Sequence, residues 1–251
     1  MSRLTIEINA HHIRITEMIG SQDKVYNYIF NDLQDYRYIE QLDAMLEKAE
    51  LKNRSFDIVA LCWSGFRTTL LPSNVFEDGS PERFFELCFG SEFAAETITF
   101  DRLHLQSIVN IYELPLWVKS YFTSRYPRII IRHEGSQLIQ HLLSSKFNDI
   151  EVILSIHNAY FLLCIGKDNK LIYYSSFDFQ DIDDILYHIM FTFQQKELYH
   201  KKGTLHLFSG QGSDRDIPKI LTEKLSGIAE LNSVTISVNQ KIILNSLENC
   251  V

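Results

Sequence analysis

Several short stretches of the chain carry side chains of the kind that bind metals, activate nucleophiles or approach nucleotides. His11 and His12 are adjacent in a polar turn. Metal ligands must converge, whereas neighbouring residues on a hairpin turn point apart, so this pair reads as a solvated turn. His133-Glu134 with His141 lacks the spacing of a zinc protease helix, in which one helical turn separates the two histidines. Ser64, in Cys62-Trp63-Ser64-Gly65, lacks the glycine two residues earlier that a nucleophile elbow uses, and Trp63 and Phe66 are expected to pack. Ser209-Gly210-Gln211-Gly212 has two glycines that would let a base approach backbone. The preferred reading is a strand-to-helix turn with Ser213 or Asp214 as N-cap, since a lone Gly-x-Gly is a weak signal and Asp214 and Asp216 would repel phosphate from that helix end. Cys62, Cys88, Cys164 and Cys250 share no metal or disulfide spacing, which fits a reducing cytoplasm.

The bulk properties narrow the partners. The chain has 251 residues, enough for two medium domains, and 24 basic against 32 acidic residues give a net charge of −8. That balance opposes nonspecific nucleic-acid binding, which depends on neutralising phosphates. Lys196, Lys201 and Lys202 are read as the basic end of a helix rather than a binding patch. The first seven residues lack an apolar secretory core, and no stretch approaches the roughly 18 apolar residues of a membrane span. The expectation is a cytoplasmic protein with no membrane insertion.

These residues need elements to position them. Leu4, Ile6 and Ile8 alternate with Thr5, Glu7 and Asn9, the pattern of a half-buried strand. A polar turn over residues 9–12 leads to a second strand through Ile13 and Ile15; Gly20 to Asp23 marks a further turn, and Val25 to Phe30 a third strand. Ile39, Leu42, Met45, Leu46 and Ala49 recur at helical spacing, and Phe56 to Leu61 reads as a strand.

From Ile150 the same series returns. Val152, Leu154 and Ile156 alternate, His157-Asn158 forms a polar turn, and Tyr160 to Ile165 a strand. Gly166 to Asn169 signals a turn before a third strand, Leu171 to Tyr174. A helix follows, with Ile182, Ile185, Leu186, Ile189, Met190 and Phe193 in one stripe, Asp181, Asp183 and Asp184 in its first turn, and His200 to Gly203 closing it. Thr204 to Phe208 is the fourth strand. The two series correspond at an offset of about 147 residues. Three strands, a helix and a strand open the ribonuclease H-like fold, and its duplication is the actin-like architecture: α/β, two βββαβ domains facing a cleft. The expected division is 1–147, with an insertion near 66–105, and 148–251.

Other elements fill the first half. Thr68 to Pro72 is strand-like, Pro81 to Cys88 helical, and Thr97 to Leu103 can pair with Ile108 to Tyr112. A helix enters at Pro115, Arg128 to Arg132 reads as a short buried strand, and Leu138, Ile139, Leu142 and Leu143 mark the next helix. In the second half Ile217, Ile220, Leu221 and Leu225 mark a helix and Val234 to Val238 a strand.

Several segments resemble an uncharacterised bacterial family with an actin-like ATPase fold. They are Thr69-Leu70-Leu71-Pro72, Asn110-Ile111-Tyr112-Glu113-Leu114-Pro115, Tyr126-Pro127, His133, the run from Lys170 to Phe177, and Leu207-Phe208-Ser209-Gly210. More distantly, the run from Ile6 to Arg14 is similar to the first phosphate loop of pilus-assembly actin-like proteins, which act as cytoplasmic scaffolds.

The resemblance implies where a nucleotide site would lie. Actin-like ATPases grip phosphates with the backbone N–H groups of one hairpin turn per domain, each preceded by an aspartate, in the pattern Asp, apolar, Gly, then Ser or Thr. Here the first turn reads Glu7-Ile8-Asn9-Ala10 and the second Ser155-Ile156-His157-Asn158. Glu7 keeps a carboxylate on a longer arm, ill suited to a tight magnesium shell. Asn9 tolerates a left-handed backbone but puts a side chain where phosphate should approach. Ala10 has no hydroxyl, and Ser155 removes the second carboxylate. Gly210 and Gly212 would stand at the adenosine-contacting position. The expected site is therefore a degenerate cleft of Glu7, Asn9, Ala10, Ser155, His157, Asn158, Gly210 and Gly212, with no catalytic residue, metal or cofactor. The expected function is a noncatalytic scaffold or adaptor for a protein partner; the alternative is an ATP-binding protein or slow Mg-dependent ATPase using Glu7. A ribonuclease H-like nuclease needs several converging carboxylates, which Ser155 and the acidic composition oppose.

Overall fold

A computed structural model describes residues 2–20, 22–31, 35–76, 79–144, 146–209, 217–225 and 230–236. The chain divides into two compact units, Met1–Ser136 and Gln137–Val251.

The first unit opens with β1 (Ser2–Ile8), β2 (His12–Ile19) and β3 (Gln22–Ile29), an antiparallel meander. Helix α1 (Asp35–Lys48) then returns the chain so that β4 (Ile58–Trp63) runs parallel to β1. An inserted module follows: β5 (Thr68–Pro72), α2 (Pro81–Phe89), β6 (Ile98–Leu103) and β7 (Ile108–Glu113). Its three strands form their own antiparallel sheet, order β5-β7-β6, around Phe76, Phe85, Ile98, Val109 and Ile111. Helix α3 (Leu116–Arg125) and β8 (Ile130–His133) complete the main sheet, order β3-β2-β1-β4-β8. Leu4, Ile6, Ile8, Ile13 and Ile15 pack with Leu42, Leu46, Trp117, Val118 and Phe122 of α1 and α3. Helix α4 (Glu134–Ser144) follows β8 directly and contains the boundary between the units.

Among the described residues, the second unit repeats this plan without an insertion of that kind. Strands β9 (Ile150–Ile156), β10 (Tyr160–Lys167) and β11 (Lys170–Asp178), helix α5 (Ile182–Gln195), β12 (Lys202–Ser209), helix α6 (Ile217–Leu225) and β13 (Glu230–Ile236) give a sheet of order β11-β10-β9-β12-β13. Strand for strand this is the order and direction of the first sheet. Asp168 and Asn169 both take positive φ in the β10–β11 turn, where a tight hairpin demands it.

Several expected details shift. Strand β1 buries Thr5 on its second face along with Leu4, Ile6 and Ile8 on the first, while Arg3 and Glu7 stay half-buried. Strand β8 is half-buried because it ends the sheet order. Ile39 and Met190 leave their helical stripes for solvent, at 41% and 39% exposure. Phe66 keeps 37% of its surface exposed, while Trp63 does pack and donates its indole N–H to the Glu113 carbonyl at 2.9 Å. Pro115 is the N-cap of α3 rather than its first helical residue.

Helix α5 is capped by Asp181, whose carboxylate accepts the N–H groups of Asp183 and Asp184. It ends at Gln195, and Lys202 and Gly203 belong to β12 instead of closing the helix. Gly203 is needed for a close approach: a Cβ there would overlap the carbonyl oxygen of Ile150 on the neighbouring strand.

Candidate functional site

The β1–β2 turn brings Glu7, Asn9 and Ala10 together. Asn9 is buried, at 7% exposure, and its backbone N–H bonds the His12 carbonyl at 3.0 Å. Its side-chain Oδ1 accepts two further turn N–H groups, those of His11 at 2.8 Å and His12 at 2.9 Å. An internal amide oxygen thus satisfies both of these turn N–H groups. Asn9 is not among the described residues with positive φ, so its role lies in the side chain and not in a left-handed backbone.

The turn is fastened from every side. Tyr38 of α1 donates its hydroxyl to the Ala10 carbonyl at 2.8 Å, Phe30 N–H bonds the His11 carbonyl at 2.8 Å, and Ser64 N–H bonds the Ile8 carbonyl at 2.9 Å. The Tyr38 ring lies flat on Trp117 of α3, centroids 4.1 Å apart, with Phe30 edge-on to it.

Glu7 sits one position from the turn, in a polar row across the sheet. The strand registers place Asn27 beside Arg14, Arg14 beside Glu7, Glu7 beside Cys62, and Cys62 beside Arg132. Burial raises the Glu7 carboxyl to about 7; the Arg14 guanidinium opposes that rise, and the charge of Glu134 adds to it. Glu134, the first residue of α4, is itself buried at 2% exposure. Inspection of the sequence missed this carboxylate as a neighbour of Glu7. The available signal was its place immediately after a strand and at a helix start.

Behind this row, Asp101 of β6 gathers a buried network. Its carboxylate accepts the His133 backbone N–H at 2.8 Å, the Ser136 hydroxyl at 2.7 Å, and Arg132 and the Tyr112 hydroxyl at 3.2 Å each. The His133 ring accepts the Gly135 N–H on Nδ1 at 2.9 Å and meets the Gly65 carbonyl through Nε2 at 3.1 Å, so it caps the start of α4. Asn110 donates to Ser136 and accepts from Thr68. The inserted sheet thereby holds the helix that carries Glu134.

The second turn has the same backbone closure, His157 N–H to the Tyr160 carbonyl at 2.9 Å. The row across its sheet differs. Ser155 lies beside Leu162 and Phe208, all three with no exposed surface, where the first sheet has Glu7 beside Arg14 and Cys62. His157, in the glycine position of the pattern, is buried, stacks on Tyr160 with centroids 4.5 Å apart, and its Nε2 is 3.5 Å from Ser155 Oγ. Asn158 is in the exposed part of the turn. Gly210 and Gly212, and the proposed caps Ser213 and Asp214, lie outside the described residues.

Among the described residues, no group of three or more His, Cys, Asp or Glu side chains could hold a metal ion. His11 is exposed at the first turn, and His141 packs against His206 and Phe208, apart from His133 on β8. Cys62 and Cys164 are buried thiols pushed up by desolvation, and Cys88 is exposed.

Comparison with known proteins agrees with this architecture. A bacterial protein from Bacteroides thetaiotaomicron, described as having an actin-like ATPase fold and unknown function, superposes with a TM-score of 0.80 at 15% identity, over 97% of this chain and 95% of that one. The PilM–PilN type IV pilus biogenesis complex matches with a TM-score of 0.58 at 10% identity, over 93% and 88%. Among curated proteins no sequence matches. The fold is therefore that of the actin-like ATPases, and a family model covering residues 1–224 shows that the chain belongs to the family "protein of unknown function (DUF3822)".

Proposed function

We propose that the chain is a noncatalytic actin-like-fold adaptor, acting in the cytoplasm by binding another protein. The observation that carries this reading is the Asn9 amide, whose oxygen satisfies the His11 and His12 N–H groups that a phosphate would need. The second turn supports it, because Ser155, Leu162 and Phe208 form a sealed apolar row with no carboxylate. A neighbour of the same fold was solved as a two-protein complex, PilM–PilN, which fits a binding role. Among the described residues no helix is long and apolar enough to cross a membrane, and the net charge of −8 opposes nucleic acid as the partner.

The second reading, ATP with magnesium, draws on Glu134 beside Glu7. The residues present do not fit that group well. Magnesium prefers ionised oxygen ligands, whereas burial holds Glu7 half-protonated near neutrality. Isothermal titration with Mg-ATP separates the readings. The adaptor reading expects no binding heat, and micromolar binding that Glu7→Ala abolishes would overturn it.

A further inference from the structure

We propose that the outer face of helix α5 is a self-association surface, on which a second copy of this chain lays the same helix antiparallel about a twofold axis. This surface is independent of the adaptor reading and adds a second role to the chain.

The sequence of α5 leaves its outer face uncharged. From Ile185 to Gln195 the helix has no Asp, Glu, Lys or Arg. Ile185, Leu186, Ile189 and Phe193 turn to the core. Tyr187, Met190 and Phe191 fall on the other side, at the spacings of three and four that make neighbours on a helix surface. They keep 62%, 39% and 48% of their surfaces exposed. The rings of Tyr187 and Phe191 stack, centroids 6.1 Å apart, so the two form one apolar ridge. His188 is turned away from this ridge and stacks on Phe177 at 4.2 Å.

The duplicated fold supplies a comparison. Helix α1 follows the three-strand meander of the first unit as α5 follows that of the second, and both have 14 residues. The exposed positions of α1 include Arg37, Glu40, Glu47 and Lys48. A surface helix ordinarily carries such charge away from the core, and a contiguous exposed apolar group marks an interaction site.

The ends of the helix select the occupant. Asp183 stands in the first turn with its side chain 80% exposed, paired from one side with Lys224 at 2.6 Å. Lys196 is the exposed C-cap residue, 5.8 Å from the Tyr173 ring, and Glu197 after it leaves the helix with positive φ. Take an antiparallel pair whose twofold axis passes near Ile189. Tyr187 of one copy then meets Phe191 of the other, and both Met190 side chains lie beside the axis. Asp183 comes within one residue of Lys196 at each end. A face that is apolar at its centre and opposite in charge at its ends complements itself in this orientation, whereas a parallel pair would set like charges together.

Fourteen residues at about 1.5 Å each and a helix width of about 10 Å give about 210 Å² per copy, below the roughly 800 Å² of a stable interface. The dimer is therefore reversible and forms at high protein concentration.

Sedimentation equilibrium of the full chain from about 10 µM to about 1 mM tests this by mass action. The weight-average mass should rise from that of one chain towards that of two. Tyr187→Glu and Phe191→Glu, both at exposed positions, should each raise the dissociation constant about tenfold or more at unchanged melting temperature. Asp183→Lys alone and Lys196→Glu alone should weaken the dimer, because each sets like charges together at both ends. Their equimolar mixture should restore it, because both ends then pair opposite charges. A mass that stays at one chain throughout, a dimer indifferent to both aromatic-to-Glu variants, or a mixture no tighter than either charge variant alone would overturn the proposal.

Discussion

Replacing Glu7 with glutamine should stabilise the protein at alkaline pH and flatten its pH dependence. Burial raises this carboxyl from 4.5 to about 7 against the help of Arg14. The folded state therefore binds its proton more tightly than the unfolded chain. The stability tied to that proton is fully present below pH 4.5, and it is lost as pH rises through 7. At about 1.4 kcal/mol per pH unit, the difference amounts to about 3 kcal/mol. Urea unfolding followed by the fluorescence of Trp63 and Trp117, both buried, measures it. Wild type should lose about 3 kcal/mol relative to Glu7→Gln between pH 5 and pH 8, and the amide should match or exceed wild type at pH 8. Parallel pH profiles for the two proteins, or a glutamine variant weaker at pH 8, would refute the reasoning. Titrating groups remote from Glu7 cancel in the comparison, whereas Arg14 and Glu134 are coupled to it and contribute to the measured difference.

Three further substitutions probe the scaffold. Asn9→Ala removes the acceptor for two turn N–H groups and should cost about 1–2 kcal/mol in urea unfolding, with faster exchange at His11 and His12. Asp101→Ala strands the partners Arg132, Tyr112, Ser136 and the His133 N–H in a buried place; a loss of about 3–5 kcal/mol is expected from chemical denaturation. Gly203→Ala drives a methyl group into the Ile150 carbonyl between β12 and β9, and should destabilise by about 3 kcal/mol, read as a lower melting temperature.

Much of the fold is legible in the sequence because both copies of the repeat are written in the same local code. The alternation at Leu4, Ile6 and Ile8 returns at Val152, Leu154 and Ile156, and the turn signals at residues 9–12 and 166–169 mark real hairpins. Strand ends were harder. Gly203 looks like a helix cap from its neighbours alone, because the need for a glycine there comes from Ile150, remote in sequence.

The candidate site was legible by position and less so by chemistry. The pattern located Glu7, Asn9, Ser155 and His157 at the two turns, but nothing local says that Asn9 folds its amide back onto His11 and His12. Glu134 and Asp101 were missed for the same reason. Their surroundings are built by long-range pairing: β8 delivers α4 to the Glu7 row, and β6 of the insertion delivers Asp101 to His133. Exposure of Ile39 and Met190 was likewise invisible, since helical spacing gives a stripe without saying how far the neighbouring element extends.

The most direct test of the central claim is a Mg-ATP titration of isotopically labelled protein, followed at the backbone amides of His11 and His12. With both N–H groups already held by Asn9, these signals should stay fixed up to millimolar nucleotide. Saturable shifts at micromolar Mg-ATP, lost in Glu7→Ala, would contradict the account.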